Sequence, residues 1–219
     1  MDRITAPMPV VAAPVFLQPG PLFLQQKDER MTLFRTVEPA AEPVTLADVK
    51  AHLRITDDSE DTLLSGLIRV AREDLERATG VALITQDWRL ALDHWPSQGC
   101  ALLTIHPVRE VLSVTAFGTE GEASLINPAD YQLDMLSRPA RLHFETRPEP
   151  LRIFNGVEID FSAGYGEAGT DVPDLLKRAI LLLVGHWYEF RAHFEPAEQP
   201  VSYPAAYDRI VASYRSRRL

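Results

Sequence analysis

A single cysteine, Cys100, stands among the 219 residues, so the chain can form no intrachain disulfide and no multi-cysteine metal cluster. That scarcity fits a reducing compartment. Basic residues are also in short supply. Lys and Arg number 22 against 31 Asp and Glu, a net charge of −9, the opposite of what a protein wrapping nucleic acid requires. Beside DNA, such a surface makes a non-adhesive wall because it repels the phosphates. Outside residues 4–24 there is no apolar run near 18 residues. Within that stretch Pro7, Pro9, Pro14, Pro19 and Pro21 break any helix, so neither a signal peptide nor a membrane span is expected. What is present is 46% hydrophobic and 24% charged residues, enough for a real core in one domain with appendages.

Residues 1–43 carry seven prolines and no helical or strand periodicity, so they read as a disordered, Pro-rich arm. Met31 offers a second start within it, which leaves open whether residues 1–30 are translated. Order is expected from Thr45, a helix N-cap with Asp48 three residues on, opening a helix over 45–54. A second helix is expected over 59–79, capped by Asp58 or Ser59 and stopped at Gly80. Its apolar stripe is Leu64, Ile68, Ala71, Leu75 and Ala78, with Arg69–Glu73 and Glu73–Arg77 paired on the wet side.

From Leu83 the period changes to two, and short strands separated by Gly- and Pro-rich turns follow up to Ala163. A third helix, 173–194, is apolar all round in "AILLLVG" and is expected at the centre of the helical part. A last helix closes the chain. The expected fold is therefore α+β: about four helices with an inserted small antiparallel β meander. Residues 44–204 form the core and 205–219 a basic C-terminal helix.

Candidate chemistry is sparse. Gly164, Gly166 and Gly169 lead into the third helix as a phosphate loop would, but their spacing fits no nucleotide fingerprint. Glu167 and Asp171 would also repel an anion, so a strand-to-helix turn is the better reading. His186, Glu189 and His193, at i, i+3 and i+7, share a helix face that suits a divalent metal. They are the basis of an alternative reading as a metal-dependent enzyme or small-ligand-binding protein. Trp187, Tyr188 and Phe190 beside them favour a packed helix end instead. Cys100, Ser97 and Ser113 have no catalytic neighbours in sequence, so no catalytic group, cofactor or metal is expected. The tail differs: Arg209, Arg215, Arg217 and Arg218 face one acid, Asp208, with Tyr207 and Tyr214 among them, and Arg with Tyr is the composition of binding hot spots.

The segments "VTLADVKAHLRI", "DDSEDTLLSGLI", "AREDLERATGVALITQDWRL", "INPADYQLD", "VEIDFSAGYGEAGTDVPDLLKRAILLLVGHWYEFR" and "IVASYRSRRL" come in an order that resembles the phage head–tail connector proteins. The resemblance is to the gp6-like family, in its phiE125 gp8-like branch, and related adaptors occur in gene transfer agents. It covers Val44 to Leu219 and leaves out the arm. It implies a structural adaptor without enzymatic activity, made in the bacterial cytoplasm and placed in the virion or particle neck. Self-assembly into a ring, expected to be twelvefold, is implied. The ring would lie between the portal protein and the next connector, stopper or tail protein, with DNA passing through unread and no membrane involved. Carried over, portal binding falls on Tyr207, Tyr214, Arg215, Arg217 and Arg218, and removal of everything beyond Pro204 is expected to leave a folded core.

Overall fold

The computed structural model describes residues 31–190 and 203–215. The arm 1–30, the end of the third helix beyond 190, His193, Arg217 and Arg218 lie outside the described residues. Helix α1 (Leu46–Leu53) begins as its residues dictate: the Thr45 side chain accepts from the Asp48 N–H at 3.1 Å, and Asp48 accepts in return from the Thr45 N–H at 2.9 Å. Helix α2 (Asp61–Thr79) ends at Gly80 in the left-handed region, φ 73°. Its start differs from the expected cap. The N-cap is Glu60, with no side-chain cap bond, because the Ser59 hydroxyl and N–H turn back to Asp57. Helix α3 (Asp174–Phe190) is buried along Leu176, Ala179, Ile180, Leu183 and Val184, and α4 (Ala205–Tyr214) packs on it.

The strands are β1 (Met31–Val37), β2 (Gln86–Leu92), β3 (Cys100–Leu103), β4 (Val108–Phe117), β5 (Ala123–Leu125), β6 (Tyr131–Asp134), β7 (Ala140–Phe144) and β8 (Val157–Ala163). The fold is α+β, with four helices among the described residues and antiparallel sheets. The connectivity is less local than a meander. One sheet runs β1-β2-β8-β4-β5 and the other β3-β7-β6, so the last strand threads between β2 and β4. The two sheets enclose one core, where Leu90, Ile159 and Phe161 meet Leu103, Leu142 and Phe144. The helices enclose another. The connector after Gly80 serves both: Ala82 packs in the sheet core, while Val81, Leu83 and Ile84 pack in the helical one. Among the described residues no helix is long and apolar enough to cross a membrane.

Strand β1 corrects the picture of residues 1–43 as an arm without strand. Residues 31–37 pair with β2 from Met31↔Leu92 to Val37↔Asp87 as a sheet edge. Their alternation is faint because one edge and much of one face are open, with Met31, Phe34 and Val37 exposed.

The expected surface ion pairs of α2 are corrected as well. Neither Arg69–Glu73 nor Glu73–Arg77 forms among the described residues; the pairs run inward instead. Arg72 and Glu76, 2% and 8% exposed, bridge at 3.1 Å. Arg72 Nε donates to Glu42 at 2.9 Å, and Glu76 accepts from the Leu83 N–H at 3.0 Å and from Gln86 Nε2 at 2.8 Å. Arg35 of β1 approaches the same carboxylate at 3.6 Å. Burial pushes the Glu76 carboxyl above its ordinary range, against the pull of the Leu83 N–H and the Arg72 guanidinium.

Removing one partner of such a pair strands the other in the core. Glu76→Ala should lower the unfolding free energy by about 3–5 kcal/mol, whereas Glu73→Ala, on the exposed side, should change it by no more than about 0.5 kcal/mol. Urea denaturation of the two variants checks this.

His106 generates a pH dependence. The ring is 4% exposed, and burial holds its pKa below the ordinary histidine value. The depressed folded value makes the neutral ring the folded form. Stability is therefore complete above the unfolded value and falls as pH drops from it through the folded one. Urea midpoints should be lower at about pH 5.5 than at about pH 7.5, and His106→Gln should shrink that difference.

Candidate docking surface

The basic tail grows from a helix whose inner side belongs to the core. Tyr207, Ile210, Val211 and Tyr214 recur at i, i+3, i+4 and i+7, the spacing of one helical face. The first three are buried in the helical core and Tyr214 packs at its margin. Tyr207 is 2% exposed, and its hydroxyl donates to Asp74 Oδ2 at 2.7 Å. Tyr203 donates to Asp74 Oδ1 at 3.1 Å, and Arg77 bridges to that oxygen at 2.7 Å. Asp74 is thus the acceptor that ties the start of α4 to α2. Burial pushes the Tyr207 phenol far above its ordinary range, and the Asp74 carboxylate adds to the shift.

At the other end of α4, Arg215 Nε donates to the Ala78 carbonyl at 3.0 Å. The orphan carbonyls of one helix end thereby receive the first residue after another. Of the tail residues expected to contact a partner, Tyr207 is therefore withdrawn from the surface by its packing. Tyr214 is half-buried and Arg215 exposed. Arg217 and Arg218 lie outside the described residues. Sequence reasoning weighted residue type over period here. The i, i+3, i+4, i+7 spacing from Tyr207 to Tyr214 is the signal that assigns Tyr207 to the core.

The glycine-rich turn after β8 is explained by close approach. Gly164 has φ 145°, and a Cβ there would meet Thr85 Cα at 2.6 Å. A Cβ on Gly169 would meet the Pro43 carbonyl oxygen at 2.6 Å. The turn lies against two backbone segments and leaves no cradle for a phosphate, while Asp171 Oδ2 accepts from the Ala168 N–H at 3.1 Å. His186 is half-buried and packs on Phe190 with ring centroids 4.7 Å apart. Glu189 is exposed, and no cluster of three metal-ligating side chains occurs among the described residues.

Two other features project outward. The β6–β7 hairpin exposes Met135 and Leu136, pinned by Asp134, which accepts from the Leu136 N–H at 2.9 Å and pairs with Arg141 at 2.6 Å. The loop between β7 and β8 exposes Ile153 and Phe154.

Residues 43–103 match the family of phage gp6-like head-tail connector proteins. That span holds α1, α2, β2, β3 and the buried Arg72–Glu76 pair. No curated protein matches the chain. Among solved structures, a chain from the neck of an empty gene transfer agent (GTA) particle computed with C6 symmetry superposes with a TM-score of 0.71 at 26% identity. It covers 86% of this chain and 97% of that one. A chain from the neck of a native GTA particle with C12 symmetry gives 0.68 at 28%, covering 86% and 97%. A chain from the virion of a native GTA particle gives 0.70 at 25%, covering 85% and 96%. Residues 43–103 thus carry a gp6-like head–tail connector domain, in a chain whose fold is similar to that of GTA neck chains.

Proposed function

We propose that this connector works as a ring in the neck of a phage-like or gene transfer agent particle. It docks below the portal and above the next connector protein, and DNA passes through its centre. The observation that carries this reading is the shared fold over nearly the whole length of neck chains from particles with C6 and C12 symmetry. Cyclic symmetry means head-to-tail contacts between two different faces of each copy, and a two-layer chain with an open sheet edge at β1 supplies unlike faces. The net charge of −9 suits a channel that must not hold the DNA passing through it. The matching family is a structural class, so the function is mechanical: to close the head and present a platform for the tail.

Portal docking is assigned to the end of α4, at Tyr214 and Arg215 and onward through Arg217 and Arg218. Arginine forks there pair with carboxylates on the partner. The buried stretch of α4 holds this end in place and does not itself dock.

Two truncations separate these roles. A chain ending at Arg215 should melt like the full chain and yield DNA-filled heads without tails, as seen by electron microscopy of lysates. Normal tailed particles would exclude Arg217 and Arg218 from docking. A chain ending at Pro204 loses Tyr207, Ile210 and Val211 from the core and should melt far lower or fail to accumulate. This reverses the expectation that removal beyond Pro204 leaves a folded core. The subtler variant, Tyr207→Phe, leaves Asp74 short of one donor and should lower the unfolding free energy by about 1.5–3 kcal/mol in a urea titration.

A further inference from the structure

A cavity of about 300 Å³ lies where the end of α2 meets the β1–β2 pair, between Arg35, Glu73, Arg77, Val81, Trp88 and Ile105. Two N–H groups of its lining, Arg35 Nε and Trp88 Nε1, are buried and have no hydrogen-bond partner among the described residues. The guanidinium cannot swing away to find one. Its NH1 donates to Gln86 Oε1 at 3.0 Å and bridges to Glu38 at 3.1 Å, and its Cζ sits 5.5 Å from the Trp88 ring centroid. The cavity therefore offers an apolar wall with two preset donors, and it suits an occupant that brings apolar side chains and hydrogen-bond acceptors together.

That chemistry stands at the other end of the same sheet. The β7–β8 loop holds Ile153 and Phe154 outward, 73% and 65% exposed. The loop is firmly anchored. The Arg152 N–H donates to the Phe117 carbonyl at 2.9 Å, and the guanidinium lies 3.9 Å from the Phe117 centroid. The same group donates to the Asn155 carbonyl at 2.8 Å and to Glu158 at 3.0 Å. The Asn155 N–H donates to Asp93 at 2.9 Å. The main-chain carbonyls of Ile153 and Phe154 accept no hydrogen bond from the described residues. The tip thus presents two apolar side chains with two free acceptors, held in one conformation. It hangs from Asp93, five residues beyond Trp88, or about 16 Å of extended chain, so it is remote from its own cavity.

Resting on the ring reading above, we infer that the Ile153–Phe154 tip of one copy seats in the Arg35–Trp88 cavity of the next. The occupant is a second copy because a ring contact joins two different faces of identical chains, and these two faces are complementary in chemistry. Phe154 fills the apolar part, and the tip carbonyls receive the Arg35 and Trp88 N–H groups. A pre-formed aromatic anchor in a desolvated pocket is the usual form of an interface hot spot.

Cysteine pairing tests the contact in the full chain with Cys100→Ser. Glu73→Cys at the cavity rim and Phe154→Cys at the tip are made as separate chains, mixed, and oxidised. The expected result is a disulfide-linked heterodimer joined 73 to 154, identified by mass spectrometry, and a ladder of multimers when both substitutions share one chain. Phe154→Ser should melt like the parent and lose self-association by at least about tenfold, the effect of one hot-spot residue. Links only between like positions, links from Leu136→Cys in place of Phe154→Cys, or self-association unchanged in Phe154→Ser would each overturn the inference. Rings seen by negative stain without the 73–154 link would overturn this contact and leave the connector reading standing. Particles whose necks lack the chain would defeat the reading itself.

Discussion

The buried pair Arg72–Glu76 is the constraint on which the two halves of the molecule depend. A charge with almost no access to water must find partners within the protein, and here the partners come from four separate stretches of chain. Glu42 comes from the segment before α1, Arg35 from β1, the Leu83 N–H from the connector, and Gln86 from the first residue of β2. Each partner is held because the alternative is an unpaired buried charge. The network fixes the register of α2 against the sheet, which apolar contacts alone would leave free to slide, since they are non-directional. Arg89 plays a lesser part on the outer face, forking onto Asp160 at 2.7 and 2.8 Å across the β2–β8 pair.

Much of this was readable where the cause is local. The Thr45–Asp48 reciprocal cap, the stop at Gly80 and the alternation of Val157, Ile159 and Phe161 depend on residues within one turn or one strand. Each appears in the structure as expected. The parts that were not readable depend on residues far apart. The pairing of β1 links residues 31–37 with 87–92, and nothing near β1 announces the partner. Arg72 and Glu76 look like an ordinary surface pair at i, i+4, and only the arrival of Glu42, Leu83 and Gln86 shows why they can be inside. The tail residues were legible in composition and misleading in role, because Tyr207 is amphipathic and its partner Asp74 lies 133 positions earlier.

The glycines of the β8–α3 turn show how a motif acquires a different meaning from its surroundings. Glycine before a helix suits phosphate only if the loop faces open space. Here the space is taken by Thr85 and Pro43, so the missing Cβ atoms serve chain-to-chain approach. The same turn brings the segment before α1 against the start of α3. This lets Glu42 reach Arg72, and so a local sequence feature supports the long-range charge network.

The contact between Tyr207 and Asp74 also orders events in time. On a ribosome the chain emerges from its N-terminus, and α2 and the strands are complete well before α4 appears. Until then Asp74 lacks the Tyr207 hydroxyl, and the apolar side of α2 and α3 is uncovered where Ile210 and Val211 will lie. The helical core is finished only when α4 has been made. On the docking role proposed above, the end that follows α4 meets a partner only on a chain whose interior is already closed.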